Sequence, residues 1–212
     1  MNAEILTSDT EQNTEQKIIA AAQEEFMLKG FDGARTTAIA EKAGVTHAMF
    51  HYYFRTKEKI FEKIISQKME LLTSLIRESI ASENLPLEEK IRHIINSHID
   101  FVADNPELPG FLVRDIFGNQ ARLAMLKDKI DVVAPLLIAG LQAELNKGFE
   151  EGTYRKIDAR MLLLDIISLN VFAFMAAPLV NAVLSGFMDD KEAFMERRKK
   201  ENFDTIMRKI KA

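Results

Sequence analysis

The sequence predicts an all-α protein of about nine helices, in which a small N-terminal head precedes a larger C-terminal helical bundle. Three observations predict this class. Apolar residues recur every three or four positions along most of the 212-residue chain, which is the period of an amphipathic helix. The chain has only nine glycines and five prolines, and long stretches without either favour helix. The alternation of apolar and polar residues that is typical of a half-buried strand is missing from the sequence.

The composition narrows the classes of protein to which the chain can belong. Apolar residues make up 47% of it and charged residues 28%, which is typical of a folded globular protein. The absence of cysteine excludes disulfides and thiolate metal sites. The polar N-terminus lacks the basic start and apolar run of a signal peptide. We therefore expect a cytoplasmic protein, with residues 1–13 forming a flexible arm.

Four helices are predicted in the first third of the chain. The first ends at Gly30, where a basic last turn precedes a C-cap glycine. Its apolar residues repeat every four positions: Ile18, Ala22 and Phe26. Threonines can cap the next three helices, because their hydroxyls accept from free N–H groups of the first turn. These caps are Thr36 or Thr37, Thr46 and Thr56, and the helices cover about 38–43, 47–54 and 57–79.

Prolines mark the boundaries of the later helices. The fifth helix follows Pro86 and has one apolar face: Ile91, Ile94, Ile95, His98, Ile99 and Val102. A short helix at about 111–117 comes next. A long helix at about 121–149 follows, and we expect it to bend near Pro135, because proline removes a helix hydrogen bond. A polar helix at about 189–210 ends the series.

Residues 158–185 form a nearly continuous apolar stretch that is long enough to span a bilayer. Four residues interrupt it: Asp165, Asn170, Pro178 and Asn181. An unpaired carboxylate in the middle of a membrane is costly. A helix that is apolar on all sides can instead lie within a bundle or between two subunits. We therefore favour a helix of a folded bundle over a transmembrane span.

Residues 44–59, GVTHAMFHYYFRTKEK, are too polar for a core helix and too aromatic for an ordinary solvated helix. With the helix before them they form a helix-turn-helix pattern. Ala40 lets the second helix cross the first closely, Gly44 permits a tight turn, and Val45 fills the corner. In such a unit the second helix lies in the DNA major groove. The alternative is a chance pattern in a helical protein.

The pattern assigns the outward side chains around the third helix to DNA. Phe50 and Phe54, four positions apart, are expected to face the core. Phosphate contacts set position and base contacts set sequence preference. Residues suited to phosphate contacts are Thr36, Thr37, His51, Tyr53 and Lys57. Residues suited to base contacts are Thr46, His47, Ala48 and Met49, and Tyr52 is suited to either role.

Charge around the pattern agrees with this assignment. Residues 29–63 carry seven basic and four acidic side chains, in a chain whose net charge is -4. Lys57 lies in the first turn of the fourth helix, where backbone N–H groups and a lysine charge together favour a phosphate. An ordinary solvated helical surface would also show such a charge balance.

A specific set of spaced features extends from residue 17 to residue 63. The set comprises Ile18-x3-Ala22-x3-Phe26, Gly30-Phe31, Thr36-Thr37, Ile39-Ala40-x2-Ala43-Gly44-Val45 and Tyr52-Tyr53-Phe54-x2-Lys57-Glu58. With it the segment resembles the DNA-binding domain of the TetR (tetracycline-repressor) family of transcriptional regulators. Three residues depart from the family pattern. His51 occupies a position where the family usually has tyrosine, Met49 one where it often has threonine, and Arg55 one where proline is common.

The resemblance implies a helix-turn-helix DNA-binding domain at 14–60 and an effector-binding and dimerisation domain at 61–212. It also implies a homodimer, formed by the last two long helices as a four-helix bundle, that binds a palindromic operator as a repressor and uses no cofactor. A small, largely apolar effector would release the DNA. Candidate residues of the effector pocket are His98, Phe101, Phe111, Arg114, Phe117, Leu137, Asn170 and Phe174.

Each pocket candidate also has a simpler interpretation. His98 can be a hydrogen-bonded core residue, and the phenylalanines can be ordinary core. Asp165 and Asn170 can bond across a subunit interface, and Arg114 can pair with Asp115. Two other functional classes remain alternatives: a helical protein-binding adaptor that does not bind DNA, and an enzyme. We do not expect an enzyme, because the sequence has neither a repeated Glu-x-x-His pair nor a glycine-rich phosphate loop.

Overall fold

A computed structural model describes the backbone of residues 2–81 and 85–212, and the side chains of residues 12–78 and 85–212. Over these residues the chain forms eleven α-helices and one π-helical segment, so the predicted all-α class is confirmed. The α-helices are α1 (Asn2–Gly33), α2 (Thr36–Lys42), α3 (His47–Phe54), α4 (Lys57–Ala81), α5 (Leu87–Asp104), α6 (Leu108–Phe111), α7 (Gln120–Ile130), α8 (Ala134–Glu150), α9 (Ala159–Met175), α10 (Ala177–Val183) and α11 (Lys191–Ile210). The π segment is Leu112–Ile116.

The chain divides into two compact units. The first unit comprises Met1–Lys68 and Phe111–Leu126, and the second comprises Met69–Gly110 and Lys127–Ala212. Helix α4 contributes its first half to the first unit and its second half to the second. The sequence predicts that the DNA-binding domain ends at residue 60. In the structure, the N-terminal segment of the first unit ends eight positions later, at Lys68.

Aromatic rings form the core of the first unit. Four of its buried phenylalanines have rings in mutual contact: Phe26, Phe31, Phe61 and Phe111. The ring of Phe61 meets those of Phe26 and Phe111 with centroids 5.3 and 5.6 Å apart. Such tilted and edge-on contacts between rings add to the stabilisation from burial alone. This core holds α1, α4 and the end of α6 together.

Helix α1 differs from the sequence-based expectation at both ends. Residues 2–13, for which the sequence predicts a flexible arm, have a helical backbone. At the other end the chain leaves the helical conformation at Gly30, with φ 73° and ψ 172°, and then makes one more turn to Gly33. Glycine adopts such angles readily because it has no Cβ. Gly30, which the sequence predicts as the C-cap, therefore interrupts α1 one turn before the helix ends.

The core of the second unit centres on α5 and α9. The apolar face predicted for α5 is buried over its whole length: Ile91, Ile94, Ile95, His98, Ile99 and Val102. One face of α9 is buried as well, with Leu162, Ile166, Asn170 and Phe174. The backbones of Tyr154 and Lys211 form an isolated antiparallel bridge near the end of α11. Asp165 pairs with Lys209 of the same chain.

Two prolines explain why the structure has more helices than the nine predicted. The stretch predicted as one bent helix over 121–149 is two helices, α7 and α8, and Pro135 lies in the first turn of α8. The stretch predicted as one helix over 158–185 is likewise broken, with Pro178 in the first turn of α10. Because proline lacks an N–H and its ring collides with the preceding turn, each helix ends before it.

Among the described helices, none is by itself both long and apolar enough to cross a membrane. Helices α9 and α10 meet the criteria of length and composition only as a pair, and the pair is bent by 65° at the break between them.

Candidate DNA-binding surface and ligand cavity

The turn between α2 and α3 has the geometry of a helix-turn-helix. Gly44 takes φ 69°, and the N–H of Val45 donates to the carbonyl of Ala40 at 3.0 Å. Thr46 caps α3, since its hydroxyl accepts from the N–H of Met49 at 3.2 Å. Phe50, on the inner face of α3, is fully buried. The predicted roles of these residues in the turn therefore agree with the structure.

The candidate DNA-contacting side chains lie on one exposed part of this unit. Most of them are exposed: Thr37, Thr46, His47, Ala48, Met49, His51 and Tyr52. The other three are half-buried: Thr36, Tyr53 and Lys57. Tyr52 is 75% exposed and Met49 is 40% exposed. The outer face of α3 is thus available for a partner of its own.

The two histidines of α3 form a hydrogen-bonded chain that the sequence did not suggest. Nδ1 of His51 lies 2.8 Å from the carbonyl oxygen of Arg55. Nε2 of His51 lies 3.2 Å from Nε2 of His47, which in turn lies 3.0 Å from the hydroxyl of Thr36. A carbonyl only accepts, so Nδ1 of His51 carries a proton. When His51 is neutral, its Nε2 therefore accepts from His47.

Lys57 has a structural role that the sequence did not indicate. Its Nζ donates to the carbonyl oxygens of Phe31 and Ala34 at 2.8 and 3.1 Å. It also lies 4.5 Å from the centroid of the Phe31 ring. The amine thus connects the start of α4 to the segment that follows α1. A phosphate contact by Lys57 stays a prediction, and it would have to share the amine with these carbonyls.

A cavity of about 390 Å³ lies within the second unit, and side chains of α4, α5, α7, α8 and α9 line it. Its wall is apolar apart from Thr73, His98 and Arg160. The Thr73 hydroxyl donates within its own helix, to the carbonyl of Met69 at 2.8 Å. The Arg160 guanidinium is bound to the carboxylate of Asp158. Such a cavity suits an apolar ligand that has few polar groups.

The residues predicted for an effector pocket are only partly brought together. His98 and Leu137 line the cavity, and Asn170 hydrogen-bonds His98 from behind its wall. Two others belong to the second unit but not to the cavity wall: Phe101 and Phe174. Three belong to the first unit: Phe111, Arg114 and Phe117. Arg114 pairs with Asp115, as the simpler interpretation of this residue anticipated.

Sequence reasoning missed most of the cavity wall, above all the part formed by α4. Met69, Leu72, Thr73 and Ile76 line the cavity from this helix. Their spacing of three and four positions was the available signal, because it places them on one helical face. On α9 it missed Arg160 and four apolar residues of the wall, which are Leu163, Leu164, Ile166 and Ile167. On a helix that is apolar on all sides, the pattern does not show which face borders a cavity.

Two family models match the chain. Residues 18–64 match the model of bacterial regulatory proteins of the tetR family, and residues 88–206 match the model of a tetracyclin repressor-like C-terminal domain. A fatty acid metabolism regulator protein of Bacillus subtilis (strain 168) is 27% identical over 146 residues, which cover 68% of this chain and 73% of the relative.

Two solved structures share the fold. The transcriptional regulator FadR from Bacillus subtilis in complex with stearoyl-CoA has a TM-score of 0.67 and 19% sequence identity, covering 91% of this chain and 97% of that one. The ketosteroid transcriptional regulator KstR2 of Mycobacterium tuberculosis has a TM-score of 0.70 and 14% identity, covering 93% and 95% of the two chains. These likenesses extend over both units of the chain.

Proposed function

Because the chain belongs to the tetR family of bacterial regulatory proteins and is a DNA-binding transcriptional regulator, we propose that it acts as a homodimeric repressor that an apolar effector releases from a palindromic operator. The exposed face of α3 reads the operator in the major groove. The effector occupies the cavity of the second unit. Binding there lowers the affinity of the dimer for DNA.

The continuity of α4 is the observation that carries this proposal. At its start, Lys57 is bound to the carbonyls of Phe31 and Ala34 in the first unit. Further along the same helix, Leu72 and Ile76 line the cavity. An effector that displaces this part of α4 therefore acts on a helix that also belongs to the DNA-binding unit. The effector must bind the DNA-free form more tightly, since equal affinity for both forms would shift nothing.

The cavity and the relatives both favour a lipid-like effector. The cavity wall is almost wholly apolar, and the similar Bacillus subtilis protein is a regulator of fatty acid metabolism. One structure of the same fold contains stearoyl-CoA, and another is a ketosteroid regulator. A long acyl chain is thus the first effector class to test.

An exposed apolar face supports the homodimer. The outward side of α9 carries Met161, Phe172 and Met175, each between 44% and 61% exposed. The face continues on α10, where Leu179 and Val183 are 64% and 70% exposed. Apolar surface of this extent marks an interface. The exposed side chains of α11 are mostly charged. We therefore propose a dimer centred on α9 and α10, whereas the family resemblance implies the last two long helices.

Selection from random duplex DNA tests the proposal directly. The protein should enrich an inverted repeat, and its affinity should fall steeply as salt rises, because phosphate contacts release counterions. Adding a long-chain fatty acid or its thioester should then release the selected duplex, as measured by fluorescence anisotropy. If the selected sequences contain no inverted repeat, the proposal of a palindromic operator is wrong. If none of the lipids releases the selected duplex, the proposed effector class is wrong.

A further inference from the structure

Three polar side chains lie buried behind the apolar wall of the cavity. His98, Asn170 and Asn202 are only 8%, 1% and 2% exposed. The amide nitrogen of Asn202 donates to the amide oxygen of Asn170 at 2.8 Å. The amide nitrogen of Asn170 lies 3.2 Å from the carbonyl oxygen of Ile95 and 3.2 Å from Nδ1 of His98. The three side chains form one chain of hydrogen bonds that ends at the cavity wall.

The direction of these hydrogen bonds determines which nitrogen of His98 carries the proton. The backbone carbonyl of Ile95 can only accept, so the atom of Asn170 that faces it must be the NH₂ group. The same NH₂ group faces Nδ1 of His98, which is therefore the acceptor. A neutral imidazole whose Nδ1 accepts has its proton on Nε2. Burial lowers the pKa of His98 to about 4, so the ring is neutral at pH 7.

The N–H at Nε2 has no hydrogen-bond partner among the groups that the structure describes, with side chains at residues 12–78 and 85–212. No buried side-chain nitrogen or oxygen in that part of the chain lacks a partner, so Nε2 is not fully buried. Because His98 is part of the cavity wall, this N–H is open to a molecule in the cavity. A donor left without an acceptor in apolar surroundings costs free energy. Of the other two polar residues of the wall, Thr73 uses its hydroxyl proton on the carbonyl of Met69, and Arg160 directs Nε and one Nη at the carboxylate of Asp158.

We propose that His98 is a specificity-determining residue of the cavity, and that its Nε2–H donates to an uncharged acceptor, such as an ester, ketone or amide carbonyl, on an otherwise apolar effector. Asn170 is the positioning residue, because it holds His98 in the tautomer that presents this proton. A neutral donor suits a neutral acceptor, and the nearby guanidinium of Arg160 is already paired with a carboxylate. This inference rests on the proposed function, which requires that the cavity hold the effector.

A matched pair of probes tests the inference on the full-length protein. Methyl decanoate and tridecane have chains of similar length and apolar character, but only the ester has a hydrogen-bond acceptor. Each probe is titrated against the fluorescent dye N-phenyl-naphthylamine bound to the protein at pH 7. An ester carbonyl loses its hydrogen bonds to water when it enters an apolar cavity, so the informative quantity is the ratio of the two affinities in the parent protein compared with the same ratio in a variant that lacks the donor. The hydrogen bond should shift this ratio about fivefold in favour of the ester.

Two variants separate the hydrogen bond from cavity shape. His98→Phe keeps a ring but removes the donor, so the affinity of the ester relative to that of the hydrocarbon should fall about fivefold. Leu137→Met changes the cavity wall without changing its polar groups, so it should alter the binding of both probes by the same factor. A preference that survives in His98→Phe would overturn the role of His98.

Nitrogen NMR of histidine-labelled protein reads the tautomer directly, even if a variant folds poorly. The chain has four histidines, and His98→Phe identifies the resonances that belong to His98. At pH 7 its Nδ1 should show the shift of an unprotonated nitrogen and its Nε2 that of a protonated one. Asn170→Leu should lose this pattern, because it removes the amide that donates to Nδ1.

The outcomes distinguish failure of the inference from failure of the proposed function. If both probes displace the dye and the ratio of their affinities is the same in His98→Phe as in the parent protein, or if Nδ1 carries the proton, the inference is wrong while the cavity stays a ligand site. If neither probe displaces the dye, the cavity is not an effector site for such molecules and the inference falls with it. Neither result changes the conclusion about DNA binding, which is measured separately by anisotropy.

Discussion

Asp115 accepts a hydrogen bond from the backbone N–H of Phe31 at 2.8 Å, joining two residues that are 84 positions apart in the sequence. The carboxylate is 6% exposed and also accepts from Nε of Arg114 at 2.7 Å. The guanidinium of Arg122 lies 3.9 Å from the Phe31 ring centroid and donates to the backbone carbonyl of Asp115 at 2.9 Å. The π segment thus binds the end of α1 at the point where Gly30 breaks the helix.

Gly30→Ala should destabilise the first unit by about 2 kcal/mol or more, because its backbone angles strongly favour glycine. A Cβ at this position would also lie 2.8 Å from Oδ1 of Asp115, which would push the carboxylate away from the N–H of Phe31. The measurement is the free energy of unfolding in urea, followed by a reporter in the first unit.

Gly118→Ala is the matched control, since an added Cβ there meets no atom within 4 Å and its φ is not positive. Its free energy of unfolding should stay within about 0.5 kcal/mol of the parent protein or rise slightly. Equal stability of the two variants would show that the contact between Asp115 and Gly30 is unimportant for stability.

Met49→Ala should change the preference among operators more than it changes binding to unrelated duplex DNA. Met49 is exposed on α3, next to the capping Thr46, where an apolar side chain can contact a thymine methyl group. Anisotropy titrations with the selected operator, its single-base variants and a random duplex measure the difference. An equal loss on every duplex would assign Met49 to packing.

Lys57→Ala should weaken binding to all duplexes and also lower the stability of the first unit. The amine now held by the carbonyls of Phe31 and Ala34 would be lost, and net hydrogen bonds from a charged donor contribute about 1.5–3 kcal/mol. Lys59→Ala is the control, because Lys59 is exposed and pairs only weakly with Glu62 at the surface. If Lys57→Ala lowers stability but leaves DNA affinity and its salt dependence unchanged, the residue does not contact a phosphate.

Local signals made the DNA-binding unit largely predictable from sequence. The cap at Thr46, the turn at Gly44 and the inward Phe50 each follow from interactions within a few positions along the chain. The cavity was less predictable, because its wall depends on how α4, α5, α8 and α9 pack against one another. The hydrogen bond between Asn170 and His98 joins residues 72 positions apart, and no periodicity within one helix indicates such a pair.

Stability of the second unit should fall as the solution is acidified, and part of this fall should come from His98. Its pKa is lowered by burial from 6.5 to about 4 in the folded protein, so the unfolded chain binds the proton more tightly. The contribution of the neutral ring is fully present above about pH 6.5 and is lost as the pH falls towards 4. Between pH 7.5 and pH 5 the loss amounts to about 2 kcal/mol.

Comparison with His98→Phe isolates this contribution, since phenylalanine does not titrate. Urea unfolding at the two pH values should show a smaller loss of stability in the variant by about 2 kcal/mol, while the carboxylates contribute equally to both proteins. The same pH dependence in the two proteins would mean that His98 is protonated at nearly the same pH in the folded and unfolded states.

Phe172→Glu should convert the proposed dimer to a monomer. Phe172 is 61% exposed on the apolar face of α9, and a carboxylate there would be buried without a partner when two copies meet. Sedimentation should show half the mass, and affinity for the palindromic operator should fall about tenfold or more, because the two heads would no longer bind together. Leu71→Glu is the matched control, because Leu71 is similarly exposed, at 48%, but belongs to a different helix, α4. If Phe172→Glu sediments like the parent protein, the interface lies elsewhere on the molecule.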